Sequence, residues 1–275
     1  MAPVKRPPRL YFSFRSPFSW MALRRLEERL PDAPERIEYV PYWDPDEKMA
    51  AALEERGSGF HYTQMSKAKH LYILQDTKRL AAKYGYDMRW PIDVDPLWWE
   101  LPHLAWIKAK HLGVHRPYYD AVMAARWERG EDICKVDVLT RVCEDAGLDA
   151  AALVAAADDD DIRSEGVSAL MRIYSDDVFG VPYFTVGRQR FWGLDRLEDF
   201  LGALAAGTGV EVAPATRTPE EHRVTETLAA PAVAAEPDPR PLVDADRGPD
   251  PLDGVPAELI ERAGALDVDT AGGCG

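Results

Sequence analysis

Residues 9–14 (RLYFSF) form an apolar, β-rich run that stops at Ser16 and Pro17. Apolar positions then recur at helical spacing, as Phe18, Trp20, Met21, Leu23, Leu26 and Leu30. Pro17 suits the first position of that helix, where a missing N–H costs nothing. Residues 36–43 (RIEYVPYW) predict a second strand. Strand, helix and strand together are long enough for a right-handed βαβ unit. The middle of the chain is helical. Helices are predicted over 67–84, ending at Gly85, and over 101–112, 116–129, 137–146, 149–157 and 162–174. The acidic run 158–161 is expected to cap the last of these, since carboxylates favour helix N-termini. Alternation returns at 183–186 (YFTV). Gly187 and Arg188 make a tight turn, 189–192 pairs back as a hairpin, and 194–204 is a closing helix.

This order predicts an α/β class: a thioredoxin-like fold with a helical insertion, at about 44–161, between its βαβ and ββα halves. Residues 1–8 are a short N-terminal tail and 9–204 the folded domain. Residues 205–275 are expected to be an acidic, Pro/Ala-rich disordered tail. Composition supports that boundary. No aromatic residue follows Phe200. From Ala206 onward there are nine prolines, 14 acidic and five basic residues, a net charge of −9 out of −14 for the chain. Such a stretch buries too little apolar surface to offset the entropy of ordering. A short helix at 256–265 is the exception, opened by Pro256. The net charge argues against nucleic acid or anionic membrane as partner, because both are polyanions. No membrane-spanning run is present, and no apolar signal core follows Lys5 and Arg6, so a cytoplasmic location is expected. Cys134, Cys143 and Cys274 are too few for a disulfide framework and lack metal-site spacing.

Two features face each other in such a fold. One is Ser16-Pro17-Phe18-Ser19-Trp20, at the start of the first helix. The other is Gly180-Val181-Pro182, just before the third strand. A proline at the latter place is expected in cis, leaving the Val181 backbone free to pair with an extended thiol-bearing ligand. A dithiol oxidoreductase needs cysteines at positions 16 and 19. Serines there cannot form a mixed disulfide, so dithiol exchange at this site is excluded.

On these motifs the chain resembles the 2-hydroxychromene-2-carboxylate isomerases and kappa-class glutathione transferases, within the DsbA-like thioredoxin superfamily. The resemblance runs from about residue 9 to residue 204. It rests on FRSPFSW (14–20), Lys69 with Tyr72, Asp76 and Arg79, and Arg89-Trp90-Pro91. It continues in AGLD (146–149), FGVPYF (179–184) and FWGLDR (191–196). It implies glutathione or another low-molecular-weight thiol as cofactor, and a small aromatic electrophile as substrate. The Ser16 hydroxyl and the helix N-terminus would favour thiolate over thiol. Val181 and Pro182 would bind the cysteinyl backbone, and Asp195 the γ-glutamyl amine. Lys69 would line the cofactor or substrate-carboxylate pocket, with Tyr72, Phe18 and Trp90 completing an apolar substrate wall. The chain departs from the family at Ser13, commonly aspartate, and at Leu194, commonly small and polar. Related families are commonly dimeric, which implies a homodimer through the helical insertion.

Plainer roles stand beside these. Ser16 and Asp195 suit helix caps, Ser19 is read as structural, and Lys69 suits a solvated helix face. Trp98, Trp99 and Trp106 read as packing of the helical block. Of His103, His111 and His115, the last two stand at i, i+4, but Gly113 between them and the lack of a matching carboxylate argue against a metal. Cys134 and Cys143 read as buried, inert thiols. The ending Gly-Gly-Cys-Gly reads as unstructured tail. Two functions follow: a thiol-dependent isomerase or transferase, or a DsbA-like protein without redox cysteines that binds a peptide or serves as a natural-product tailoring partner. In the second, the tail docks a protein partner.

Overall fold

The computed structural model describes residues 6–61, 65–214, 252 and 254–265. The chain divides into two compact units. One holds residues 1–64 and 89–214; the other holds 65–88 and 215–275.

The first unit is built on a four-stranded sheet of β1 (Arg9–Phe12), β2 (Glu38–Pro41), β3 (Tyr183–Val186) and β4 (Gln189–Trp192), in the order β2-β1-β3-β4. β1 and β2 are parallel, with Leu10 beside Tyr39. β1 and β3 are antiparallel, with Tyr11 beside Tyr183, and β3 and β4 form a hairpin. Gly187, in that hairpin turn, has φ +60, which a side chain would resist. This is the thioredoxin-like arrangement, with βαβ and ββα halves sharing one sheet. α1 (Pro17–Arg29) joins β1 to β2, with Pro17 in its first turn, and α2 (Ala33–Arg36) follows it. Along α1, Trp20, Met21, Leu23 and Leu26 are buried, as the 3.6-residue period requires.

Between β2 and β3 the first unit carries α3 (Glu47–Glu55), α5 (Glu100–His111), α6 (His115–Trp127), α7 (Val136–Asp145), α8 (Ala150–Val154) and α9 (Asp160–Ser175). α2 and α3 are additions to the expected elements. Asp46 caps α3 by accepting the Met49 N–H at 2.7 Å, a local signal without a long apolar stripe. The helix expected over 149–157 is α8 followed by a 3₁₀ turn at Ala155–Ala157. The acidic run does cap the next helix: Asp159 accepts the N–H groups of Asp161 and Ile162 at 3.0 and 3.2 Å. The aromatic core joins the sheet to the helices. Phe12 and Phe14 meet Trp106, Tyr118 and Tyr119 edge-on or tilted, and Trp20 of α1 stacks on Trp127 of α6. The closing helix splits into a 3₁₀ turn (Leu194–Arg196) and α10 (Leu197–Thr208), which packs on β3 and β4. Ordered chain runs past the expected boundary at 204: Ala213 N–H donates to Arg29 O at 2.9 Å.

In the second unit, α4 (Lys67–Tyr84) packs with α11 (Ala257–Ala265), the helix expected near 256–265. The rest of the acidic segment and the Gly-Gly-Cys-Gly ending lie outside the described residues. Among the described residues, no helix is long and apolar enough to cross a membrane.

At the N-terminal end of β1, Arg9 joins two carboxylates. It donates to Glu38 Oε2 and Asp176 Oδ2, each at 2.8 Å, while Tyr11 also donates to Asp176 and Arg172 to Glu38. Removing the Asp176 carboxylate leaves Tyr11 without its acceptor and Arg9 with Glu38 alone, so Asp176→Ala should lower unfolding stability by about 3 kcal/mol in urea titrations. Burial alone would raise the Glu38 carboxyl, but the Arg9 hydrogen bond and the Arg172 charge outweigh it and hold it below its ordinary value. Its contribution to stability is therefore complete above the ordinary carboxylate pKa and lost as pH falls through the lowered one. Glu38→Gln should flatten that acid limb of the stability curve.

Candidate active site

The chain leaves β1 through residues 13–16 and enters α1 at Pro17. Each residue of this turn is held. Ser16 N–H donates to Ser13 O at 3.1 Å, and Ser13 N–H donates to Ser19 Oγ at 3.3 Å. Arg15 N–H donates to Ser13 Oγ at 3.2 Å, and Trp127 Nε1 donates to Phe14 O at 3.1 Å. His103, fully buried on α5, supplies the remaining acceptor: its Nε2 lies 3.2 Å from both the Phe14 N and Ser13 Oγ. Its Nδ1 lies 2.6 Å from the Trp99 carbonyl, which can only accept. Nδ1 therefore carries the proton, and Nε2 accepts from Phe14 and Ser13. Burial pushes the imidazole pKa down to about 3; the Trp99 hydrogen bond opposes this and the Arg15 charge adds to it.

Ser16 is the N-cap of α1 and accepts the Ser19 N–H at 3.1 Å. That bond uses an oxygen lone pair and leaves the hydroxyl proton for another acceptor. The first turn of α1 contains no acidic residue, so nothing on the helix offsets its positive N-terminal end. Arg15 lies beside it, paired to Asp44 at 2.5 Å and 5.5 Å from the centre of the Trp99 ring.

Val181 and Pro182 enter β3 at the sheet edge where β1 gives way to this turn. The Val181–Pro182 bond is cis. Pro182 O accepts Gly193 N–H at 2.9 Å, while the Val181 backbone has no hydrogen bond among the described residues. Asp195 sits in the 3₁₀ turn, which packs against α1, with its side chain 74% exposed. Gly193 makes that turn. Its φ is +102, and a Cβ there would lie 2.6 Å from Asp195 Oδ1. Phe18 is half-buried in the first turn of α1. Trp90 is also half-buried, and its segment is pinned to the end of α6: Arg89 N–H donates to Trp127 O at 2.8 Å. Trp127 thus joins the Trp90 segment to the turn that carries Ser16. Lys69 and Tyr72 lie on α4, in the second unit. Both are exposed, with the Lys69 N–H capped by Ser66 Oγ and Arg79 6.0 Å from the centre of the Tyr72 ring.

A family profile, the DSBA-like thioredoxin domain, matches residues 9–205. The 2-hydroxychromene-2-carboxylate isomerase of Sphingobium xenophagum is 32% identical over 195 residues, covering 70% of this chain and 93% of that protein. The chain belongs to the DsbA-like thioredoxin family, in the group of 2-hydroxychromene-2-carboxylate isomerase. A solved structure of such an isomerase shares the fold at TM-score 0.57 and 22% identity, covering 72% of this chain and 94% of its own. So does a probable DsbA oxidoreductase from Streptomyces coelicolor, at TM-score 0.52 and 19% identity, over 88% and 96%.

Within this DsbA-like frame, the dithiol position is occupied by two serines with separate duties. Ser16 faces outward as a cap, and Ser19 is buried as an acceptor for the turn. Nothing in the sequence marks His103 as a site residue, because its spacing to His111 and His115 bears only on a metal. It is committed to the turn, while His111 pairs with Glu165 at 2.7 Å. Cys134 and Cys143 are buried, and burial pushes their thiols up to about 12 and 11, far from reactivity at neutral pH. Gly193→Ala should disorder the Asp195 turn and lower stability by about 1–3 kcal/mol. A thermal melt with chemical shifts of the Leu194–Arg196 amides checks this.

Proposed function

We propose that the protein is a thiol-dependent isomerase or transferase that uses glutathione, or another small thiol, on a small aromatic electrophile. The observation that carries this reading is the Ser16 hydroxyl. It caps α1 through its lone pair and keeps its proton available where a redox relative would carry a cysteine. The residues present fit such a thiol. Ser16 offers a donor to sulfur, Val181 an N–H and C=O without a hydrogen bond among the described residues, and Asp195 an exposed carboxylate for an amine.

When bound, the thiol would supply a nucleophile that adds to an electrophilic carbon; in an isomerase it is eliminated again after rearrangement, and in a transferase it stays with the product. The chain's residues set the charge state for that chemistry. The Ser16 O–H and the N-terminal field of α1 both favour negative charge on sulfur, raising the reactive fraction at neutral pH. Val181, with Pro182 behind it, aligns the ligand backbone by strand addition. Asp195 pairs with its amine. Phe18 and Trp90 supply apolar walls for a flat ring. The family relationship to an isomerase supports this chemistry over peptide binding.

Glutathione titration followed by thermal melting tests the reading. Wild type should be stabilised. Ser16→Ala should bind about ten- to a hundredfold more weakly, because it loses a hydrogen bond to a charged atom. A wild-type protein that responds to no small thiol would contradict the proposal.

A further inference from the structure

We infer that His103 is a positioning residue of the thiol site: from the core side it fixes the turn that presents Ser16. The inference rests on the reading of Ser16 as a thiolate-binding group and extends it to a residue 87 positions away. His103 cannot be catalytic. It is fully buried, with Trp43 stacked on it at 5.4 Å, Phe14 at 5.2 Å and Trp99 at 6.4 Å. Its only reach toward the site runs through the turn. Nε2 accepts from Phe14 N–H and Ser13 Oγ–H; Ser13 Oγ then accepts from Arg15 N–H, and Ser13 O from Ser16 N–H. One neutral ring on α5 thus sets the backbone that follows Ser13, and through it the place of Ser16.

The arrangement works only while the ring is neutral. A proton on Nε2 would turn the acceptor into a donor and set it against the donors of Phe14 and Ser13. The charged neighbour facing it is Arg15, which disfavours that proton further. Ser13 belongs to the same device. A carboxylate in its place would favour the charged ring. Serine donates to Nε2 and leaves it uncharged.

The test compares wild type, His103→Leu and His103→Gln, each as the full chain with glutathione, reading the ultraviolet absorbance of bound thiolate against pH. Leucine removes the acceptor, and the apparent pKa of the bound thiol should rise by about one unit, a tenfold loss of thiolate at fixed pH. Glutamine keeps an acceptor oxygen and should retain most of the signal. Two outcomes would overturn the inference: equal thiolate in all three proteins, or equal loss in both variants in step with their melting temperatures. If wild type holds no glutathione thiolate, the thiol reading itself fails. Amide exchange of Phe14 and Ser16 in the free protein then decides the role of His103. Faster exchange in His103→Leu, restored in His103→Gln, supports it, and unchanged exchange overturns it.

Discussion

A buried imidazole and a buried indole hold the turn between β1 and α1 from two neighbouring helices. His103 on α5 accepts from Phe14 and Ser13, and Trp127 on α6 donates to Phe14 O. The turn is polar and lies in an otherwise aromatic core, so each of its groups would be costly without a partner. Satisfying them fixes the backbone, and the fixed backbone places the Ser16 hydroxyl at the head of α1. The chemistry proposed for the site depends on that placement as well as on the Ser16 hydroxyl itself.

The sheet supplies the second requirement. Because β3 runs antiparallel to β1, the entry to β3 at Val181 and the exit from β1 at Ser13 share one edge. Because β4 pairs back on β3, Gly193 meets Pro182 and turns the chain toward Asp195. Three stretches of chain are thereby gathered, the first far in sequence from the other two. At the other end of β1, the ion pairs of Arg9 with Glu38 and Asp176 tie the strand to β2 and to the end of α9. One end of β1 is fixed by charge and the other by neutral hydrogen bonds. The neutral set stands beside the N-terminal end of α1.

Much of this was legible in the sequence. Strand and helix periods, Pro17, Gly85 and the Gly180-Val181-Pro182 motif gave the order of elements, because those signals are local. α2 and α3 were missed because they are short and lack a long apolar stripe; only α3 is started by a side-chain cap, Asp46. His103 was missed for a different reason. Its partner Ser13 lies 90 residues away, and a pairing across the core leaves no trace in spacing. The departure at Ser13 was visible but had no meaning until the imidazole appeared against it. Likewise α4, with Lys69 and Tyr72, reads from sequence as part of a continuous insertion, yet it clusters with the C-terminal helix. Amphipathic period tells which face of a helix is apolar and says nothing about what covers it.

The central claim is that the head of α1 stabilises a thiolate and performs no disulfide exchange. The most direct measurement is a pH titration of glutathione labelled at the cysteine β-carbon, observed by NMR while bound to the protein. The account predicts a bound thiol that ionises well below the ordinary cysteine value of about 8.5. In Ser16→Ala it should move back toward that value. A bound thiol that titrates like free glutathione in the wild type, or a β-carbon shift characteristic of a disulfide, would contradict it.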